Sequence, residues 1–314
     1  MTVQFDIAVF AANEGATIQS CIEALDRASG GYTARIAVLL NGTTDNSVQI
    51  LRSLRVSHAM LQVYFFTVAD KSNAINEFIY SLRDRSADIH FFVDGYVTVT
   101  AGALRAIAEA MAADKHAYLA TGVPLNGRSA KAVADGIRQG TGNVRGNLFA
   151  MRPEFASRLV AQRVRLPVGL YRGDGLLEAM AKHDLLRPRK SGWDNKRVAG
   201  VWGGTYTLRP LSPFRWRDIR RQYRREVRIA LGRIENEVLK ELIYEKGFSA
   251  LPSDSRHLLT EWLERQPRSR LGLVRGGFFA NRAVRQGMAR PPIRACRPEL
   301  ILQREPSQSS APSM

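Results

Sequence analysis

Four short polar stretches hold residue types that handle phosphate or a cation: Asn13-Glu14, Asn41-Gly42-Thr43-Thr44-Asp45, Asp70-Lys71-Ser72-Asn73 and Asp94-Gly95-Tyr96. One of them would say little, because Asn, Asp and Gly make turns anyway. Each, however, follows or closes an apolar run that reads as a strand: Phe5 to Ala12, Ala34 to Leu40, Leu61 to Phe66 and Ile89 to Val93, which runs into Asp94 at the last strand position. Such runs are buried on both faces of a parallel sheet, and in open α/β sheets a ligand sits beyond the carboxyl ends of the strands. All four stretches are therefore expected on one edge of one sheet. Asp94, at a strand end, is a candidate metal or phosphate-handling carboxylate, or else a cap for the helix that starts near Thr100. Lys71, between a strand and an Asn-rich helix start, is placed for phosphate contact. Asp45 serves equally as a helix cap or a ribose contact. Asp174 opens a later helix, RGDGLLEAMAKHDL, at the end where the dipole favours an acid.

The elements that must position these residues alternate. Helices are expected up to about Ala28, around Val48 to Leu54, from Ser72 to about Arg83 and from Ala101 to Ala113, each with apolar residues at helical spacing. Strand-helix alternation gives a mostly parallel sheet with helices on both faces. A strand at Ala117 to Val123 follows. From Gly122 to Gly146 the chain is rich in Gly, Asn and Arg. Then GNLFAMRPEF offers a short strand and a helix start at Pro153, and Val198 to Trp202 a last short strand. A long helix is expected from Ser212 to about Lys246, with Ile219, Tyr223, Val227, Ala230, Ile234, Val238 and Leu242 on one stripe. A short amphipathic helix at Leu258 to Arg265 precedes an Arg-, Gly- and Pro-rich end that reads as weakly ordered.

At 314 residues the chain can bury a full core, and its 45% hydrophobic content is ordinary for a globular protein. The formal charge of +17 is not ordinary, and predicts an acidic partner: nucleic acid, anionic membrane or a phosphorylated substrate. Residues 201–314 carry 22 Lys and Arg against 11 Asp and Glu, and seven of those arginines fall between 215 and 228. Cys21 and Cys296 make neither a disulfide framework nor a metal site, which fits a reducing compartment. The N-terminal residues read as a first strand rather than a signal peptide. No run reaches the roughly 18 apolar residues that span a bilayer.

In their order and spacing these stretches resemble glycosyltransferase family 2, nucleotide-sugar-dependent enzymes with a GT-A fold. The opening strand and Asn-Glu pair are matched by VFAANEG, and the Asp-x-Gly-Ser-Thr-Asp turn by LLNGTTDNS. DKSNAIN looks like the Gly-Lys-x-x-Ala-Leu-Asn segment, and FFVDGYVT like the strand that ends in Asp-x-Asp. GNLFAMR is similar to the acceptor-side segment, RGDGLLEAMA stands where the helix supplying the base stands, and RRQYRREVR resembles the downstream Gln/Arg-x-x-Arg region. The resemblance covers about residues 3 to 230. It implies a GT-A-type, Rossmann-like domain over residues 1–210, an amphipathic Arg-rich helical extension over 211–265 and a weakly ordered basic tail over 266–314.

The activity implied is transfer of a sugar from a nucleoside diphosphate donor to an acceptor hydroxyl on a glycan or lipid, with inversion. Asp174 would be the base and Asp94 would hold a divalent cation, Mn2+ or Mg2+. Asn13, Glu14, Asn41, Asp45, Lys71 and Asn73, with Asp94, would line the nucleotide pocket. The sequence departs from the family in three places. Tyr96 replaces the second acid of Asp-x-Asp, Leu40 stands where an acid reads the nucleobase, and Gly173 stands where Glu precedes the base. The alternative is a degenerate GT-A scaffold that binds an anionic polymer or lipid. The basic helix is expected to meet an anionic membrane surface, which places the protein in the cytoplasm or peripherally at the inner membrane face. Nucleic acid is disfavoured, since no named nucleic-acid motif is present.

Overall fold

The computed structural model describes residues 3–127, 130–140, 143–188, 192–210, 214–265, 277–289 and 294–307. Its first half alternates as the periodicities require: β1 (Gln4–Ala11), α1 (Ile18–Ala28), β2 (Thr33–Asn41), α2 (Ser47–Ser53), β3 (Ala59–Phe66), α3 (Lys71–Glu77), β4 (Ile89–Asp94), β5 (Val97–Val99) and α4 (Ala103–Ala113). The second half contains β6 (Leu119–Pro124), α5 (Ala130–Arg138), β7 (Leu148–Met151), α6 (Pro153–Ala161), α7 (Gly173–Lys182) and β8 (Val198–Leu208). It ends with α8 (Trp216–Lys246), α9 (Arg256–Arg265), α10 (Gly277–Ala289) and β9 (Glu299–Arg304).

The strands form one sheet in the order β5-β8-β6-β7-β4-β1-β2-β3-β9. The run β3-β2-β1-β4 is parallel, while β7 and β9 run antiparallel to their neighbours. Phe10 pairs with Asp94 and Asn41 with Phe66, so the four polar stretches do open on one edge. After β3 the chain returns to the far side of β1. The strand order therefore reverses between β1 and β4, where open α/β sheets form their ligand crevice.

Both faces of the sheet are covered. One core joins Phe5, Ile7, Val9, Ile36, Val38 and Phe91 to α1 and α4. The other joins Phe10, Phe92 and Phe149 to α6, α7 and the inward stripe of α8, including Val227, Ile234 and Val238. The long helix thus shares a core with the sheet.

The fourth strand ends at Asp94, as its apolar run bounded by Asp-Gly requires. Beyond it the Gly95 amide donates to the Phe10 carbonyl at 2.8 Å, and a Cβ on Gly95 would lie 2.7 Å from that of Ala11. Several other elements differ from expectation. The third helix is α-helical only to Glu77 and finishes in a π turn, Phe78–Leu82, because its end is tied to a buried ion pair. There Arg35 takes the Leu82 carbonyl at 2.7 Å, and Asp6 accepts from the Asp84 amide at 2.7 Å. Strand β8 continues past Trp202, since Gly203 and Gly204 do not end it. They let α4 approach, and Cβ atoms there would fall 2.7 Å from Ala106 and 2.8 Å from Ile107. Helix α5 lies in the Gly-, Asn- and Arg-rich segment, with Val133 as its buried residue.

Of the tail expected over 266–314, residues 266–276, 290–293 and 308–314 lie outside the described residues. Within it, α10 buries Ala280, Ala283 and Val284, and β9 pairs antiparallel with β3, covering that edge of the sheet.

Candidate active site

Asp94, the last residue of β4, is 8% exposed and its carboxylate is fully engaged. Oδ1 accepts from the Lys71 ammonium. Oδ2 accepts from the Tyr96 hydroxyl at 2.8 Å and from Asn147 Nδ2 at 3.3 Å. Lys71 begins α3 because Asp70 caps that helix, accepting from the Asn73 amide at 2.5 Å. From there Nζ also reaches the Gly146 carbonyl at 3.1 Å. The amide of the same Gly146 donates to Asp174 Oδ2 at 2.9 Å. Asp94, Lys71, Gly146 and Asp174 therefore form one continuous polar chain at the crevice. Asp174 is half-buried at the N-terminal end of α7, and its Oδ1 has no partner among the described residues. At neighbouring Gly175 a Cβ would meet nothing within 4 Å.

Helix α7 fixes this loop at three points one turn apart. Asp174 holds Gly146, Glu178 accepts from the Val144 amide at 2.9 Å, and Lys182 donates to Asn143 Oδ1 at 3.3 Å. Positions i, i+4 and i+8 share one helix face, so the loop is docked in register. Lys182 is only 2% exposed, and Glu178 at 2.7 Å compensates its charge.

Tyr96 stands where the resemblance leads one to expect a second metal-binding acid. Burial, and then the nearby Asp94 charge, push its hydroxyl well above the ordinary 10.0, so it stays protonated and donates to Asp94. Glu14 accepts from Arg221 of α8 at 2.9 Å and from Thr17 at 3.2 Å. Burial raises the Glu14 carboxyl above its ordinary 4.5, against the opposing charge of Arg221. The Arg221 guanidinium also lies 5.4 Å from the centre of the Tyr96 ring. An arginine of the long helix thus reaches the same crevice.

The remaining sequence candidates are spread around it. Asn13, with φ +57, accepts through Oδ1 from the amides of Thr44 and Asp45 at 2.8 and 3.1 Å and ties the first two loops together. Asp45 accepts from Gly15 at 2.8 Å and from the Ser47 amide at 3.0 Å. Burial works to raise its pKa, but the hydrogen bonds from Ser47 and Gly15 together hold it below the ordinary 3.8. Asn41 is buried at the end of β2. Its Oδ1 and the Thr43 hydroxyl have no partner among the described residues. Asn73 is turned away, and its side-chain amide donates to the Cys296 carbonyl at 3.0 Å.

Sequence reasoning singled out neither Arg221 nor Asn147 as a site residue. Both lie inside segments it quoted, RRQYRREVR and GNLFAMR, but nothing in the helical stripe says which of seven arginines turns inward. Among the described residues no three His, Cys, Asp or Glu converge on a point. Asp94, the carboxylate that ends β4, has both oxygens engaged by Lys71, Tyr96 and Asn147.

The strand order, the crevice and the flanking helices define the GT-A-type, Rossmann-like fold of glycosyltransferases. Two solved structures with that fold are a mannosyltransferase from Pyrobaculum calidifontis in complex with GDP-Man and Mn2+ and a Mycobacterium tuberculosis glucosyl-3-phosphoglycerate synthase in complex with Mn2+, UDP and glucosyl-3-phosphoglycerate. The first matches with a TM-score of 0.54 at 14% identity over 92% of this chain and 80% of its own. The second matches with a TM-score of 0.50 at 17% identity over 73% of this chain and 78% of its own. No protein-family model matches the sequence, and no curated protein matches it.

Proposed function

We propose that the protein transfers a sugar from a nucleoside diphosphate donor to an acceptor hydroxyl, with the reacting centre between Asp94 and Asp174. The observation that carries this reading is the polar chain Asp94–Lys71–Gly146–Asp174 at the point where the strand order reverses. It links two carboxylates through the Lys71 ammonium and the Gly146 peptide. The nucleoside lies over the ends of β1 and β2. There Asn41 Oδ1 and the Thr43 hydroxyl, without partners among the described residues, supply polar contacts to the base, in place of an acid at Leu40.

In the reaction the acceptor oxygen attacks the anomeric carbon as the bond to the diphosphate breaks, and that electron pair leaves with the diphosphate. Asp174 Oδ1 takes the acceptor proton. A single displacement needs no enzyme nucleophile and inverts the anomeric centre. Lys71 and Arg221 meet the developing negative charge from fixed positions, so little reorganisation accompanies bond breaking. Asp94 would hold a divalent cation, which when bound supplies further positive charge against the diphosphate.

One observation favours a second reading, a scaffold that binds without catalysis: both Asp94 oxygens are already occupied by groups of the chain. Asp174→Asn distinguishes the two. The catalytic reading expects donor affinity to persist while nucleotide diphosphate release with acceptor falls by about 10²–10⁴-fold. Equal release from the variant and the parent protein removes Asp174 from the chemistry.

A further inference from the structure

The N-terminal end of α8 carries large apolar side chains on its surface. Trp216 is 75% exposed and Ile219 44% exposed, and with Tyr223 they occupy positions i, i+3 and i+7 of one stripe. Helix α10 extends this surface. Tyr223 meets Phe279 with ring centres 6.0 Å apart, and one helical span further on Gly287 lies against Leu231. The two helices therefore run side by side in the same direction, which brings Phe278, 68% exposed, to the same end as Trp216. A soluble face rarely exposes so many large apolar groups together without a partner.

Around these rings the charge has one sign. Arg220, Arg224, Arg225 and Arg228 are exposed on α8, and Arg282 and Arg285 on α10, a helix without a single acid. The same stretch of α8 holds two acids, the buried Asp218 and Glu226, which accepts from Gln222 at 2.6 Å. Arg221 turns inward to Glu14, so the surface adjoins the crevice.

We infer that this face docks on an anionic bilayer, with Trp216, Phe278 and Phe279 entering the interface while the arginines pair with lipid phosphates. Aromatic rings rimmed by arginine match the headgroup boundary, where one end of the contact is apolar and the other charged. A nucleic acid would draw on the arginines but give the apolar stripe nothing to enter. Joined to the proposed activity, docking turns the crevice toward an acceptor carried at the membrane surface; the docking itself does not depend on that activity.

The test is co-sedimentation of the full chain with vesicles of phosphatidylcholine alone and of equal parts phosphatidylcholine and phosphatidylglycerol. Binding is expected to the anionic vesicles only, and to weaken as salt is raised. Arg220→Gln with Arg224→Gln should lower the partition coefficient by about tenfold or more. Trp216→Ser with Phe278→Ser should also lower it, at unchanged net charge. All four positions are exposed, and circular dichroism checks the fold of the variants. Undiminished binding of the aromatic variant overturns the inference, as does equal affinity for single-stranded DNA, or self-association in solution that the aromatic substitutions abolish. Titrating the same variants with nucleotide sugar reads donor binding separately, so failure of the sugar-transfer reading leaves the vesicle result standing.

Discussion

Arg221 makes the main charge contact to Glu14, a carboxylate that burial already drives toward its neutral form. Arg221→Gln is expected to raise the Glu14 pKa further, as read by carboxyl NMR titration, and to weaken donor binding roughly tenfold through loss of one charged contact. Asp45 behaves oppositely. Its folded pKa lies below 3.8, so its stabilising contribution is fully present above that pH and fades as pH falls through the folded value. Asp45→Asn should therefore cost about 1 kcal/mol at neutral pH, and thermal melts of variant and parent protein should converge on acidification. At this scale the sequence revealed residue types but not partners. Asp45 and Asn13 hold the first two loops to each other, and Asn73 reaches the C-terminal segment. Long-range hydrogen bonds of this kind leave no local periodicity.

Helix α7 positions the site through residues four apart. Removing the Glu178 carboxylate leaves Lys182 buried without its counter-charge, so Glu178→Ala is expected to destabilise the protein by about 3 kcal/mol in denaturant unfolding. The loop that carries Gly146 should loosen at the same time, lowering turnover more than donor affinity. Elements with strong periodicity were legible in the sequence: β1, β2, β3, α1, α4 and α8 lie within a few residues of where the apolar pattern puts them. Those governed by distant contacts were not. The continuation of β8 through its glycines is set by the approach of α4. Helix α5 buries too little to show an apolar face.

Across the whole molecule, the mostly parallel sheet and the four strand-end loops on one edge were legible because strand-helix alternation leaves few alternatives. The fate of the C-terminal segment was not, since its Arg-, Gly- and Pro-rich composition masks a strand that only its partner defines. Strand β9 caps the edge of β3, where Gln62 donates to Gln303 at 3.1 Å. A chain ending at residue 298 is expected to expose that edge and to associate at concentrations where the full chain does not, as measured by light scattering. No helix among the described residues is long and apolar enough to cross a membrane.

The most direct test of the central claim is calorimetric titration of the full chain with UDP- and GDP-sugars, with manganese and with chelator. The account predicts that one nucleotide sugar binds, more tightly with the metal, and that Asp94→Asn removes the metal-dependent increment while Lys71 and Arg221 retain a weaker, metal-free interaction. Absence of binding by every nucleotide sugar under both conditions would contradict it.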